Sequence, residues 1–241
     1  MKSYYSNGKL LLTGEYAVLD GAISLAIPTK YGQYLIIEPT ESSKINWKSL
    51  DEKDCVWFED EFSIDEITTS FAPRNDIRDR LIQILKAAKI LNPNFLNNSK
   101  GFQITTKLDF PRDWGLGTSS TLVNNIAQWT NVDAYKLLEQ TFGGSGYDIA
   151  CAQNNNPITY QLQKDKPIVN TINFNLHFKD HLYFVYLNKK QNSRDEIAQY
   201  KNNTSNLSES ISKINDLSQQ ILSCKSLNEF INLIEEHEKI I

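Results

Sequence analysis

Residues 111–120 read Pro-Arg-Asp-Trp-Gly-Leu-Gly-Thr-Ser-Ser, and what stands on either side of them decides how the chain is built. Upstream, FQITTKLDFP puts Phe102, Ile104, Thr106, Leu108 and Phe110 on one face with a period of two, the pattern of a half-buried strand that ends at Pro111. Downstream, Leu122, Val123, Ile126 and Ala127 fall on one helical stripe. The segment is therefore strand, glycine-rich turn, helix. Glycines at such a junction let backbone N–H groups close on an anion, and a helix N-terminus adds about half a positive charge. Hydroxyls at Thr118, Ser119 and Ser120 can bond phosphate oxygens or ligate Mg²⁺. The local pattern alone fits equally a tight turn whose Ser or Thr merely caps the helix. Neither the Walker pattern G-x-x-x-x-G-K-[ST] nor the dinucleotide pattern G-x-G-x-x-G occurs, so the loop is phosphate-like but of another type.

Working outward, LLLTGEYAVL and AISLAI read as two extended segments between Lys9 and Ile27, joined by Asp20-Gly21, a dipeptide suited to a two-residue hairpin turn. YGQYLIIEP reads as a further strand that Pro39 ends, and residues 40–76 stay unassigned as a surface excursion of the sheet. Ile77, Leu81, Ile84, Leu85, Ala88 and Leu91 recur at helical spacing until Asn92-Pro93 stops them. GGSGYDIACA at 143–152 leads a second glycine turn into a short helix. After Asn154-Asn155-Asn156-Pro157 the texture changes: ITYQL, IVNTINF and LYFVYL are strand-like, and two helical patterns follow. Ser226 and Glu229 form an S-x-x-E box that starts the last helix. A domain boundary is expected near 155–168, dividing the chain into residues 1–160 and 161–241.

At 241 residues with 40% hydrophobic and 11% aromatic side chains, the chain can bury a real core. Lys+Arg at 25 against Asp+Glu at 29 leaves no basic excess for a phosphate backbone, so nucleic acid is not the expected partner. No apolar run is long enough to span a membrane and no signal peptide opens the chain, so a soluble, cytoplasmic protein is expected. Cys55, Cys151 and Cys224 are odd in number and far apart, which argues against a disulfide framework and a zinc site. His177 and His181 could share a helix face, but with His237 they make no recognisable metal motif.

Two further pieces carry chemistry. Ser6-Asn7-Gly8-Lys9 places a lysine ahead of Gly14-Glu15-Tyr16; a solvated lysine and a turn glutamate are the plain interpretation. In Ser145-Gly146-Tyr147-Asp148 the carboxylate either closes a capping box or, on a rigid helix beside a phosphate loop, accepts a proton from a substrate hydroxyl or anchors a lysine. Arg112, beside the loop, could pair with a substrate anion or lie exposed in solvent.

Taken in this order, the three pieces resemble the GHMP kinases, the superfamily of galactokinase, homoserine kinase, mevalonate kinase and phosphomevalonate kinase. The opening motif P-G-K-x-x-L-x-G-E-[HY]-x-V-x-x-G is filled by Asn7-Gly8-Lys9, Leu12, Gly14-Glu15-Tyr16, Val18 and Gly21, with Asn for Pro. The second, P-x-x-x-G-L-G-S-S-A, is met by Pro111, Gly115-Leu116-Gly117 and Thr118-Ser119, with Ser120 at the small-residue place. Gly-Ser-Gly-Tyr-Asp-Ile-Ala at 144–150 looks most like the phosphomevalonate kinase branch, and mevalonate kinases carry a related S-G-x-D.

The resemblance implies an α+β protein of two domains, an N-terminal β-α-β part with the phosphate loop and a C-terminal ferredoxin-like α+β part. It implies that Gly115, Leu116, Gly117, Thr118, Ser119 and Ser120 wrap ATP phosphates and that Ser119 ligates Mg²⁺, with Glu139 as candidate second metal ligand. Asp148 is the implied base, Lys9 its neighbour at the transferring phosphate, and Glu15, Tyr16 and Arg112 belong to the substrate side. The activity implied is transfer of the ATP γ-phosphoryl group to a small anionic metabolite, mevalonate or phosphomevalonate first, in isoprenoid biosynthesis. The alternatives are a sugar, homoserine or diphosphomevalonate-type enzyme, or a non-catalytic nucleotide- or metabolite-binding protein. The third family motif, a G-[AS]-x-G-G loop, does not follow residue 155, and the sequence stops at Ile241 inside a helical pattern. The expectation is either a chain lacking a C-terminal segment or a reduced member, with a homodimer as the candidate assembly.

Overall fold

A computed structural model describes residues 1–68, 76–97, 100–187, 200 and 207–241. Its frame is one seven-stranded sheet in the order β4-β3-β5-β2-β6-β7, with β1 on the free edge of β2. The strands are β1 (Lys2–Leu11), β2 (Ser24–Pro39), β3 (Lys44–Leu50), β4 (Val56–Ser63), β5 (Phe102–Leu108), β6 (Ile158–Gln163) and β7 (Lys166–Thr171). The helices are α1 (Ile64–Thr68), α2 (Ile77–Leu91), α3 (Thr118–Thr130), α4 (Ala134–Glu139), α5 (Tyr147–Gln153), α6 (Leu207–Ser223) and α7 (Leu227–Glu238). The architecture is mixed α+β, as expected.

β2 is the spine. Gln33–Pro39 pairs antiparallel with β5, Ser24–Ala26 pairs with β6, and the opposite edge takes β1 in two runs broken by an irregularity between Asn7 and Lys9. YGQYLIIEP is thus no separate strand but the second half of β2, which Pro39 does end. β1 and β2 form the expected antiparallel hairpin, yet Asp20-Gly21 is not its two-residue turn. Ala17–Asp20 coil into a 3₁₀ turn that Gly21 closes, because Ala17 and Val18 are buried by tertiary packing instead of lying in a ladder. The unassigned region holds the β3–β4 hairpin, whose Trp47 and Phe62 are core residues. Charges on the outward positions of these strands hide that in the sequence. A reciprocal Ser63–Glu66 capping box starts α1.

The helix over Ile77–Leu91 is present and begins on an Asp76 cap to the Asp79 N–H. Its Leu81, Ile84 and Leu85 pack with Val123 and Ile126 of α3 on Leu35, Ile37, Trp47 and Ile104 of the sheet. Each such buried side chain contributes roughly 1.5–3 kcal/mol over its exposed state. A second cluster joins Leu25 of β2 to Leu176, Phe178 and the buried faces of α6 and α7. The Ser226 cap on Glu229 that starts α7 forms as expected.

Two further expectations fail. LYFVYL makes no strand: Tyr183, Phe184, Val185 and Leu187 are exposed, and no described strand pairs with residues 182–187. Strand propensity reports fit to a pleated, half-buried surface, and none is supplied here. His177 and His181 share no helix, since only Lys179–His181 coil, as a 3₁₀ turn. Among the described residues no helix is long and apolar enough to cross a membrane.

Candidate active site

The glycine loop is anchored from below. Leu116 is buried against Leu108, Phe110 and Leu10, and its carbonyl accepts the Lys9 backbone N–H at 3.0 Å, which ties β1 to the loop. Gly117, at φ 88°, is the N-cap residue of α3 and provides no side-chain cap, so the first N–H groups of a thirteen-residue helix stay available to a ligand. A Cβ on Gly117 would stand 2.9 Å from Ser120 Oγ and 3.0 Å from Lys9 Cγ, so glycine is what lets lysine and helix meet. Above Gly115 a Cβ would meet nothing within 4 Å. The loop opens there.

Three elements converge beneath it. Lys9 of β1 carries its Nζ 5.4 Å from the centre of the Tyr147 ring of α5. Burial alone would depress the Lys9 ammonium, but Tyr147, Asp148 and Glu15 more than offset it and hold the group above its ordinary value. Asp148, next on α5, has the opposite balance: burial pushes its carboxyl up, while Lys9, the Ile149 N–H at 3.0 Å and the nearby Ser120 hydroxyl pull it down, and burial prevails. Burial also pushes up Tyr147, and Cys151 to about 12, which keeps both protonated. Asp148 is not a capping-box member, since the N-cap residue is Gly146 with no side-chain cap bond. Lys9 bears on Asp148 electrostatically, with no ion pair or hydrogen bond between the two side chains.

Ser119 and Thr118 differ from Ser120. Ser120 is buried and donates to the Gly117 carbonyl at 2.8 Å, whereas the hydroxyls of Thr118 and exposed Ser119 meet no protein partner among the described residues. Glu15 is exposed and bears electrostatically on Lys9. Tyr16 sits at φ 57°, ψ −43°, a strained conformation for a non-glycine residue, with its ring 5.9 Å from that of Tyr200. Arg112 lies 3.7 Å over the Trp57 ring, which leaves its N–H edge for an anion. Glu139 ends α4 in an exposed position, and no hydrogen bond joins it to Lys9, Asp148 or the loop.

Sequence reasoning passed over two features. One is a buried amide network directly behind the site. Asn124 donates to Ser6 Oγ, Ser6 to Asn125 Oδ1, and Asn125 to the Gln33 carbonyl, each at 2.8 Å. Thr121 donates to Gln33 Oε1 at 2.8 Å and Gln153 to Asn124 Oδ1 at 3.0 Å. Neutral amides carry no motif; the one signal was Asn124-Asn125 inside an apolar helical stripe. The other is His237, buried and bonded to the turn that carries Glu15.

No protein-family model matches the sequence, and no curated protein matches it. Solved structures match its fold. Methanococcus jannaschii mevalonate kinase aligns with a TM-score of 0.72 at 16% identity, over 99% of this chain and 78% of that one. Streptococcus pneumoniae phosphomevalonate kinase in complex with phosphomevalonate and AMPPNP aligns with a TM-score of 0.68 at 15% identity, over 100% and 79%. Lactococcus lactis galactokinase complexed with galactose aligns with a TM-score of 0.62 at 13% identity, over 96% and 72%. The chain has the GHMP kinase fold.

Proposed function

We propose that this chain binds Mg-ATP on the 115–120 loop and transfers the γ-phosphoryl group to the hydroxyl of a small anionic metabolite, mevalonate or phosphomevalonate. The observation that carries this reading is the meeting of Lys9, Ser120 and Asp148 beneath the uncapped N-terminus of α3. A helix terminus that offers N–H groups suits an anion, and a half-buried carboxylate near a half-buried lysine is what a phosphoryl acceptor requires for proton removal and charge balance. The S. pneumoniae complex, which pairs this fold with phosphomevalonate and an ATP analogue, supports the same assignment.

The residues fit Mg²⁺. That ion takes one or two carboxylates beside phosphate oxygens and water, and the unpartnered Ser119 hydroxyl is the donor at hand, with Glu139 proposed as an outlying carboxylate. Bound there, it would neutralise charge on the phosphates. The chain's own groups do the rest. Loop amides of Gly115–Ser120 orient the phosphates, Lys9 offsets the charge that develops between donor and acceptor, and Asp148 takes the hydroxyl proton. Its upward-shifted carboxyl moves toward the range where a base works best near neutral pH. Glu15, Tyr16 and the outer edge of Arg112 would hold the acceptor. The division into a nucleotide-binding part, 1–160, and a second α+β part, 161–241, belongs to the same reading.

A coupled ADP-release assay across mevalonate, phosphomevalonate, homoserine and galactose tests it. Release with one of the first two, dependent on Mg²⁺, is expected. Release only with galactose would move the acceptor to a sugar. No release with any of them, together with no rise in melting temperature on adding Mg-ATP, would overturn the reading.

A further inference from the structure

The turn that carries Glu15 and Tyr16 is held from the far end of the sequence. Thr13 Oγ1 and Ser218 Oγ of α6 share a hydrogen bond of 2.7 Å, and the Ile23 N–H donates to Asn215 Oδ1 at 2.6 Å. Ser218 Oγ also donates to the Ile23 carbonyl at 3.1 Å, and the Leu25 N–H reaches Thr13 Oγ1 at 3.0 Å. Between these ties lies Gly14, at φ 80°, where a Cβ would run into the Ser24 side chain. Its N–H donates at 2.9 Å to Nε2 of His237, which α7 delivers at 2% exposure. A ring nitrogen that accepts from an amide carries no proton, so the proton of the neutral imidazole is on Nδ1. That atom is buried without a hydrogen-bond partner, with Glu238 Oε1 3.6 Å away.

We infer that His237 is a positioning residue for the Glu15–Tyr16 corner: its neutral imidazole, as acceptor for the Gly14 N–H, sets where that corner stands beside Lys9, and a proton on Nε2 releases it. The inference rests on the reading that places this corner at the acceptor pocket. Protonated Nε2 would face Gly14 donor against donor in a place water does not reach, so bond and proton exclude each other. The charged groups around the ring are few. On its own helix Glu238 draws a proton toward it, and on the turn Glu15 and Asp20 are exposed acids. On α6 the buried or half-buried residues toward the turn, Ile214, Asn215, Leu217 and Ser218, carry no charge, and Asp216 is on the exposed face. Burial outweighs Glu238 and lowers the imidazole below the ordinary histidine value. A depressed value puts the sign plainly: the tie is complete above the ordinary histidine range and is lost as pH falls through the folded-state value. The strained Tyr16 backbone depends on such external ties, so its release would spread to Glu15.

The test uses the full chain with labelled histidine, followed by NMR from about pH 7.5 to about pH 5, with the exchange protection of the Gly14 amide read in parallel. The expected result is a ring protonated on Nδ1 at the start, and protection that drops by about tenfold or more over the interval in which His237 takes its second proton. His237→Gln presents an acceptor that does not titrate, and it should keep protection across the range. His237→Phe should lack it throughout. Protection that stays constant while wild-type His237 titrates, or a neutral ring protonated on Nε2, overturns the inference, and neither needs a variant to fold. Where ADP is released, the acceptor KM should rise with loss of Gly14 protection in wild type and stay flat in His237→Gln; a KM that ignores Gly14 protection also overturns it. Absence of ADP release at every pH would count against phosphoryl transfer alone, because the exchange measurement still decides the role of His237.

Discussion

The same three elements build two polar clusters one helical turn apart, and they are opposites. Toward the loop, β1, α3 and α5 bring Lys9, Ser120 and Asp148; one turn on they bring Ser6, Asn124 and Gln153. The second cluster is neutral, and its hydrogen bonds link β1, α3 and β2 in one chain. The first holds two charges, hydroxyls that face open space and a helix end with no cap. Burying polar groups is tolerable when each finds a partner and costly when it does not. The paired cluster is a rigid bed, and the unpaired one keeps its capacity for a ligand.

The sharpest way to break this contrast is Asp148→Asn. Its carboxyl is raised in the fold, so ionising it opposes folding as pH climbs above the ordinary aspartate range, and a neutral amide removes that opposition. The melting temperature should hold or rise while turnover falls roughly 10²–10⁴-fold, the usual worth of a positioned proton acceptor. Thermal melts beside ADP-release rates measure both, and a parallel fall in both would make Asp148 a structural residue. Ser119→Ala comes next. With its hydroxyl bonded to no protein atom, turnover should fall about 10²-fold with unchanged melting, and a higher Mg²⁺ requirement would locate the loss at the metal.

On the other side of the comparison, Asn125→Ala strands the Ser6 hydroxyl and the Gln33 carbonyl in a fully buried place. The cost should be about 1–3 kcal/mol, or several degrees of melting temperature in a chain of this size, with kcat within a few-fold. A large loss of kcat at a temperature where the variant is folded would mean that the bed is part of the machinery. The smallest effect is expected from Arg112→Ala, which should raise the acceptor KM by about three- to tenfold and leave kcat alone, as for a group that only binds.

What was legible in the sequence follows from the same contrast. Lys9, the 115–120 loop and Asp148 are charged or glycine-rich and stand at motif spacing, so they could be found before any fold was known. The β5–loop–α3 unit was equally open, since its apolar periods switch cleanly from two to 3.6. The amide bed was not, because Asn and Gln are common on surfaces and only three-dimensional pairing gives them a role. Asp20-Gly21 misled because a turn dipeptide reports local preference, while burial of Ala17 and Val18 decided the backbone. LYFVYL misled because propensity cannot supply a neighbouring strand. His237 was hidden for a third reason: its partner is a backbone N–H far away in sequence, and no spacing rule reaches that.

The long strand β2 also sets an order of birth. Its edge with β1 closes as soon as the first hairpin is made, but Gln33 must wait for Leu108, and Leu25 for Thr159. A chain growing from its N-terminus therefore exposes Lys9 first, adds the glycine loop later and receives Asp148 almost with the last strands of the sheet. Until then the lysine has only Glu15 of its acidic neighbours, and β2 has a bare edge. A nascent chain halted before α5 would hold parts of a phosphate site without being one, and its unfinished edge would be the place where a folding helper has most to cover.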